Sequence, residues 1–270
     1  MKLTEKEYRA NPAISRSELW RIKESPEKFM YYKNNPQPPT PALVFGQALH
    51  KAVLEPDSFS TEFAVAPQID RRTKAGKAEY EEFCAESAGK TILTADIMQT
   101  VQEMTAKINN HDFSRLLLSG EHEVPYFWTD ELTGEPCKCR ADCVTEINGI
   151  VYIIDLKTCE TAETTEFMKK SVDYGYHVQT AMYTDGVQAN INKKCEFVFI
   201  AIEKKPPYSI NIMQTSPIFS QYGYDEYRHL LGIYHECKTT DNWYGYLGKF
   251  NEINSLGIPA WIAKEYQKEG

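Results

Sequence analysis

Residues Cys137 to Thr158 read CKCRADCVTEINGIVYIIDLKT. Two runs of strand-forming residues flank Asn148-Gly149, a dipeptide that tolerates the positive φ angles of a two-residue hairpin turn. With that turn, Ile147 lies opposite Ile150, Asp142 opposite Asp155 and Arg140 opposite Lys157. Directly opposed side chains stand about 5 Å apart at Cβ. Two carboxylates at that range repel, and a sheet selected for stability alone avoids the pair. A divalent cation between them turns repulsion into ligation, and oxygen donors of this kind suit Mg²⁺ or Mn²⁺. Strand alternation places Lys157 on the face of Asp155. The apolar run Ile150-Val151-Tyr152-Ile153-Ile154 reads as a buried strand that delivers Asp155 and Lys157 at its end, where sites form. The competing reading is a solvated face on which Arg140 and Lys157 form ordinary salt bridges. The hairpin geometry and the buried run favour the metal.

Upstream of the hairpin, Glu123-Val124-Pro125-Tyr126-Phe127-Trp128 begins the sheet, and Thr133-Gly134 makes the turn. Downstream, Val198 to Glu203 reads as a central apolar strand and Tyr208 to Met213 as a further one. Cys137, Cys139 and Cys143 share the face opposite Arg140 and Asp142. Their spacing matches no zinc pattern, so they read as small buried strand residues. Helical periodicity covers Ala42 to Leu54, Ala78 to Ala88, Thr94 to Asn110, His111 to Leu118, Glu163 to Lys170, Val172 to Asn190 and Gln221 to Cys237. The first of these carries Gly46 and His50 on one face, where a lone helical His is ordinarily structural. Ser15 or Ser17 caps another helix near Asn11, and its free N–H groups with Arg16 suit a DNA phosphate. A plain capped helix explains the same residues. Ser25-Pro26 starts a further short helix. Arg71-Arg72-Thr73-Lys74-Ala75-Gly76-Lys77 reads as a mobile basic loop on the DNA backbone through Arg71, Arg72, Lys74 and Lys77, or as a solvated charge run. Gln179 and Tyr183 are four apart and share a helix face.

The chain has 270 residues, 42% hydrophobic and 25% charged, with a net charge of −8. That supplies a real core and sets the expectation of one domain over 1–270. Its parts are a mostly helical segment to 120, a catalytic sheet core over 121–215, and a C-terminal helix with an aromatic docking segment over 216–270. The net charge argues against wholesale coating of nucleic acid and allows a local basic track. No run reaches membrane-span length and the start carries no apolar signal region, so a cytoplasmic protein is expected. Seven cysteines without a secretory signal make a disulfide framework unexpected.

Asp142 followed by Asp155-Leu156-Lys157 resembles the D…(D/E)xK signature of the restriction-endonuclease-like, or PD-(D/E)XK, nuclease superfamily. More closely, the chain resembles the RecE and lambda-exonuclease type of phage or prophage recombination nuclease. Ile14-Ser15-Arg16-Ser17-Glu18-Leu19 is similar to that family's I-S-x-S-x-L, and FGQALHKAVLEPDSF from Phe45 is similar to its G-x-x-x-H-x-x-x-L-E-P. Gln179 and Tyr183 match its Q-x-x-x-Y helix, and Pro259-Ala260-Trp261 resembles its C-terminal pattern. The resemblance implies an α/β (α+β) fold with a central mixed β-sheet flanked by helices. It implies His50 as a further metal-site residue, Glu123 as an acidic residue binding metal through water, with Glu121 as its rival, and Gln179 and Tyr183 beside the site. It also implies exonuclease action on double-stranded DNA ends, degrading the 5′-ended strand to leave a 3′ tail. A homo-oligomeric ring, trimer or tetramer, and a single-strand annealing protein as partner belong to the same implication. In that scheme Arg16 and Arg140 hold a 5′ phosphate.

The resulting expectation is a Mg²⁺-dependent deoxyribonuclease. Asp142, Asp155, the Leu156 carbonyl and His50 hold the cation, and Lys157 positions the attacking water or stabilises developing charge. The alternatives are a structure-specific or restriction-like endonuclease with the same site, a non-catalytic DNA-binding or assembly protein of the same fold, and, more weakly, an RNA substrate. Retention of Asp142, Asp155, Lys157 and His50 together speaks against the non-catalytic case.

Overall fold

The computed structural model describes residues 3–259 and 262–263, so Ala260 and Trp261 of the C-terminal reading lie outside the described residues. The N-terminal elements are punctuated by capping residues. Thr4 and Glu7 form a reciprocal capping box on α1 (Glu5–Ala10). A two-residue strand, β1 (Ile14–Ser15), leads directly into α2 (Arg16–Glu24), where the Glu18 carboxylate accepts the Ser15 N–H at 2.9 Å. Ser25 with Pro26 starts α3 (Pro26–Asn34), and Thr40 with Pro41 starts α4 (Pro41–Leu54). Caps of this kind contribute about 1 kcal/mol each. After α5 (Phe59–Glu62) comes β2 (Phe63–Val65), which pairs in parallel with β3 (Thr91–Leu93).

Between those two strands only the first part of the basic stretch, Arg71 to Thr73, is a turn. Thr73 accepts the Gly76 N–H at 2.9 Å and starts α6 (Lys74–Glu86), so Lys74 and Lys77 lie in a helical first turn. Arg72 forks onto Asp70 at 2.8 and 2.9 Å, and Arg71 lies 4.5 Å from the Tyr80 ring. The Thr-x-x-Gly cap outweighs the turn signal of Gly76. Then follow α7 (Ala95–Asn109), capped by Thr94, and α8 (Asp112–Leu117), capped by His111.

The main sheet contains β4 (Glu121–Thr129), β5 (Pro136–Ile147), β6 (Ile150–Cys159), β7 (Cys195–Glu203) and β8 (Ile210–Gln214). Its order is β1-β5-β6-β7-β8, with β4 on the other edge of β5. Asn148 and Gly149 take φ values of 53° and 80°, the turn their chemistry favours, and the ladder runs from Ile147 opposite Ile150 to Cys143 opposite Ile154. β6 and β7 are parallel, joined through α9 (Thr164–Asp173) and α10 (Tyr176–Ile191). β7 has a partner on both sides, as an interior apolar strand must, and α11 (Pro217–Thr240) closes the fold. The architecture is mixed α/β: a central mixed sheet flanked by helices. Ala48, Leu49, Val101 and Met104 cover one face through Ile154, Leu156, Val198 and Ile200. Phe167 and Val187 cover the other through Ile153, Phe197 and Phe199.

One departure from strand alternation shapes everything that follows. Glu123 adopts φ 53°, which is costly for a residue with a side chain, and its pairing with Asp142 is lost while the pairs on both sides keep register. Across this interruption the faces slip. Cys139 and Ala141 pack on the Phe167 side of the sheet, whereas Cys143 packs on the Leu49 side. The three cysteines therefore do not share a face. For the same reason Arg140 does not stand opposite Lys157. It sits across from Pro125, alternating with Cys139 and Ala141, and its guanidinium meets Glu5 and Glu123.

The β4–β5 turn is tied down by α11. Arg228 pairs with Asp130, and His235 and Lys238 reach Glu135 at 2.9 and 2.5 Å. Burial alone would raise the Asp130 pKa, but hydrogen bonds from Arg228 and Thr133 hold it near 2. Trp243 stacks on Phe29 at 5.4 Å, a docking contact of the aromatic segment after α11.

Candidate active site

A gap in the sheet makes the site. β1 pairs with Cys137 and Lys138 on the same edge of β5 that β6 uses from Cys143 onward. The β5 residues 139–142 between them have no strand neighbour on that edge. Asp142 fills the place of the missing ladder, with its Oδ2 accepting the Leu156 N–H at 2.8 Å. That carboxylate therefore reaches along the sheet toward β6 rather than standing up beside Asp155. His50 arrives from α4, with Nδ1 3.3 Å from Asp142 Oδ2 and Nε2 2.6 Å from the Leu156 carbonyl oxygen. Gly46, one turn earlier on α4, lines the same cleft.

From the other face, Gln179 on α10 donates to Asp155 Oδ1. Lys157 Nζ lies 2.6 Å from Asp155 Oδ2 and 4.8 Å from the Tyr176 ring centroid. The Lys157 ammonium is thus the charge partner of the buried Asp155 Oδ2. Glu123, Asp142 and His50 offer ligand atoms that all lie within 4.8 Å of one another. The chemistry of these donors, two carboxylates and an imidazole beside the Leu156 carbonyl and the Asp155–Lys157 pair, fits a hard divalent cation. The cleft lined by His50, Glu123, Asp142, Leu156 and Lys157 has a volume of about 1200 Å³ and also takes in Ser15, Arg16, Ser17, Arg140 and Tyr183, whereas Asp155 lies buried behind its wall. Arg71, Arg72, Lys74 and Lys77 are not among its walls.

The charges are strongly coupled. Burial opposes protonation of His50, but the Asp142 carboxylate outweighs it and pushes the ring up to about 9. As an imidazolium, His50 donates from both nitrogens, which suits the two acceptors it faces. Burial, then the Asp142 charge, pushes Glu123 up to about 7, with Arg140 pulling the other way. Burial raises Asp142 too, but His50 and Lys157 overcome it and hold this carboxyl below its usual range. Burial wins at Asp155, which is raised despite Lys157. A cation that takes the His50 and Glu123 lone pairs must displace their protons. Metal affinity is therefore expected to rise with pH from about 7 to about 9. Calorimetry of Mn²⁺ binding at pH 7, in buffers of differing ionisation enthalpy, should show release of between one and two protons per ion, nearly one from His50 and about half from Glu123. Binding with no proton release would remove His50 and Glu123 from the ligand set.

Two residues at the site carried no assignment from sequence. Glu5 and Tyr8 on α1 flank Arg140, with Tyr8 5.2 Å from its guanidinium. The Thr4-x-x-Glu7 box was the available signal for this helix. Lys138, 5% exposed, anchors it by donating to the carbonyls of Tyr8 and Asn11 at 3.0 and 2.6 Å.

A forked mixed sheet with an Asp and an Asp-x-Lys at the fork defines a protein of the PD-(D/E)XK class. The chain belongs to the family described as PDDEXK-like domain of unknown function (DUF3799), whose model matches residues 15–255. Among solved structures, the fold is similar to that of a candidate exonuclease from Eubacterium rectale. The TM-score is 0.62 at 17% identity, covering 97% of this chain and 98% of that one. SSO0001 has a TM-score of 0.33 at 15% identity, covering 70% and 86%, too weak a likeness to argue from. No curated protein matches the sequence. None of these names the RecE or lambda-exonuclease type. Among the described residues, no helix is long and apolar enough to cross a membrane.

Proposed function

We propose that this protein is a metal-dependent deoxyribonuclease. The observation that carries the reading is the convergence of His50, Glu123 and Asp142 at the sheet fork, beside the Asp155–Lys157 pair. Asp142, Asp155, Glu123, His50 and the Leu156 carbonyl would hold Mg²⁺, with Mn²⁺ as an alternative. When bound, the cation lowers the pKa of a ligated water and offsets charge on the phosphoryl group.

The chain's own residues do the rest. The Leu156 N–H and Gln179 fix the two aspartates, so their oxygens cost little reorganisation. Lys157, kept charged because Asp155 outweighs burial, lies within reach of the attacking water and the developing negative charge. The Tyr176 ring confines its ammonium. Tyr183 walls the cleft beyond Gln179. At the start of α2, Ser15, Ser17 and free backbone N–H groups suit a phosphate. Arg16 donates to the Tyr174 carbonyl, while its Nε is buried without a partner. That free donor supports a phosphate role for Arg16, and Arg140 flanks the same cleft.

The finer reading is exonuclease action on double-stranded DNA ends, 5′ to 3′, leaving 3′ tails for strand annealing. It rests on the motif resemblance, as do the ring of three or four copies and the annealing partner. One experiment tests the activity and its direction. Linear duplex labelled separately at each 5′ and 3′ end is digested in Mg²⁺ and in EDTA, beside covalently closed circular DNA. Loss of the 5′ label first, only with metal and with the circle intact, is expected. Cleavage of the circle selects the endonuclease reading. No cleavage of either DNA in Mg²⁺ or Mn²⁺ overturns the enzyme reading.

A further inference from the structure

Beside the main cleft a second hollow of about 400 Å³ opens among Arg9, Asn11, Glu18, Arg21, Phe29 and Lys33. It shares Arg9, Glu18 and Arg21 with the cleft as a common rim. Its one carboxylate, Glu18, is oriented toward the helix start, where one oxygen accepts both the N–H and the hydroxyl of Ser15. Arg9 is paired with Glu5. Arg21 and Lys33 differ. Among the described residues neither side chain has a carboxylate partner or a hydrogen bond, although the chain's net charge is −8. Each lies instead over an aromatic ring, Arg21 5.0 Å from Tyr32 and Lys33 5.4 Å from Phe29. Stacking of this kind orders a cation without neutralising it. Tyr31, 58% exposed, stands edge-on to Tyr32 and adds an open π face.

We propose that this hollow is an outer phosphate subsite, where Arg21 and Lys33 take backbone phosphates of the nucleic acid held in the cleft. The proposal rests on the nuclease reading for its ligand. Its physical basis is separate: two ordered, uncompensated cations on a rim continuous with the cleft. A polyanion threaded through the larger space must pass this rim, and charge complementarity there is sequence-independent. An acidic protein segment has the same charge but no reason to share the cleft's edge.

The test compares wild type with Arg21→Gln/Lys33→Gln, both exposed positions, on a fluorescent duplex in EDTA across a salt series. The slope of log Kd against log salt should fall in magnitude by about 2 in the variant. Arg21→Lys/Lys33→Arg, which keeps both charges, should restore it. In Mg²⁺ the variant's KM for a long duplex should rise about tenfold at unchanged kcat. Lys33→Gln alone, which touches the hollow but not the cleft, should leave the KM of a duplex too short to leave the cleft unchanged. An unchanged slope and KM overturn the proposal, and binding of an acidic peptide that depends on these two residues, with DNA binding unaffected, would reassign the surface. If wild type cleaves nothing, the nuclease reading falls while the salt slope still decides the subsite.

Discussion

Asp155→Asn is expected to abolish cleavage, by about a thousandfold or more, while leaving duplex binding within about threefold of wild type. The substitution is nearly isosteric and keeps the oxygen to which Gln179 donates. It removes the oxygen that pairs with Lys157, and with it one negative charge beside the metal pocket. Two effects on stability oppose each other. Burial raises the Asp155 pKa, so its charge costs folding energy at neutral pH and losing it helps. The Lys157 ammonium loses its nearest carboxylate, and that hurts. Asp142 and the Tyr176 ring remain to hold Lys157, so a net loss below the roughly 3–5 kcal/mol of an uncompensated broken pair is expected. The checks are a thermal melt, single-turnover cleavage in Mg²⁺, and Mn²⁺ affinity by calorimetry, which should fall about tenfold. Cleavage by the purified variant within tenfold of wild type would remove Asp155 from the chemistry. Lys157→Ala separates the roles, since it should lose a similar factor in rate while keeping Mn²⁺ affinity.

The hairpin was legible because Asn148-Gly149 and strict alternation dictate both turn and register. Helix starts were legible at Thr94 and Ser15, where a capping residue precedes an apolar stripe, but not at Ser216, whose helix starts four residues before the Gln221 that periodicity marks. What could not be read is where the ladder stops. Alternation assigns Asp142 to a face, and nothing in the hairpin's own residues announces that Glu123, on another strand, takes a left-handed conformation and slips the faces there. The same limit hid the position of Arg140. β1 is two residues long and carries no period of its own. Its pairing with Cys137 and Lys138 is set by docking: its own Ile14 and the Leu19 and Ile22 of α2 bury in one cluster with Tyr227 and Leu230. The site is thus a tertiary product: His50 on one face and Gln179 with Lys157 on the other, meeting at a fork that two strands leave open.

That dependence on α10 gives the second large effect, at a residue with no side chain. Gly223 on α11 lies against α10, and a Cβ there would overlap the His177 carbonyl group. The obstacle is helix backbone, which cannot swing aside as a flexible side chain does. Gly223→Ala is expected to cost about 3 kcal/mol or more, equivalent to a melting point lower by roughly 6–12 °C. Its consequence extends to the site, because Gln179 follows His177 by two residues and donates to Asp155. If α10 is pushed off the sheet, that donor moves and Mn²⁺ affinity falls with stability. Gly232 on the same helix is the internal control. It is exposed, and a Cβ there would meet nothing within 4 Å. Gly232→Ala therefore exchanges a flexible helical residue for the best helix former and should gain about 0.5–1 kcal/mol. Opposite signs for the two alanines locate the cost in the α10–α11 contact. Equal destabilisation, or a Gly223→Ala protein with wild-type melting and metal affinity, would mean that the contact does not hold α10 in place and that Gln179 is positioned by the sheet alone.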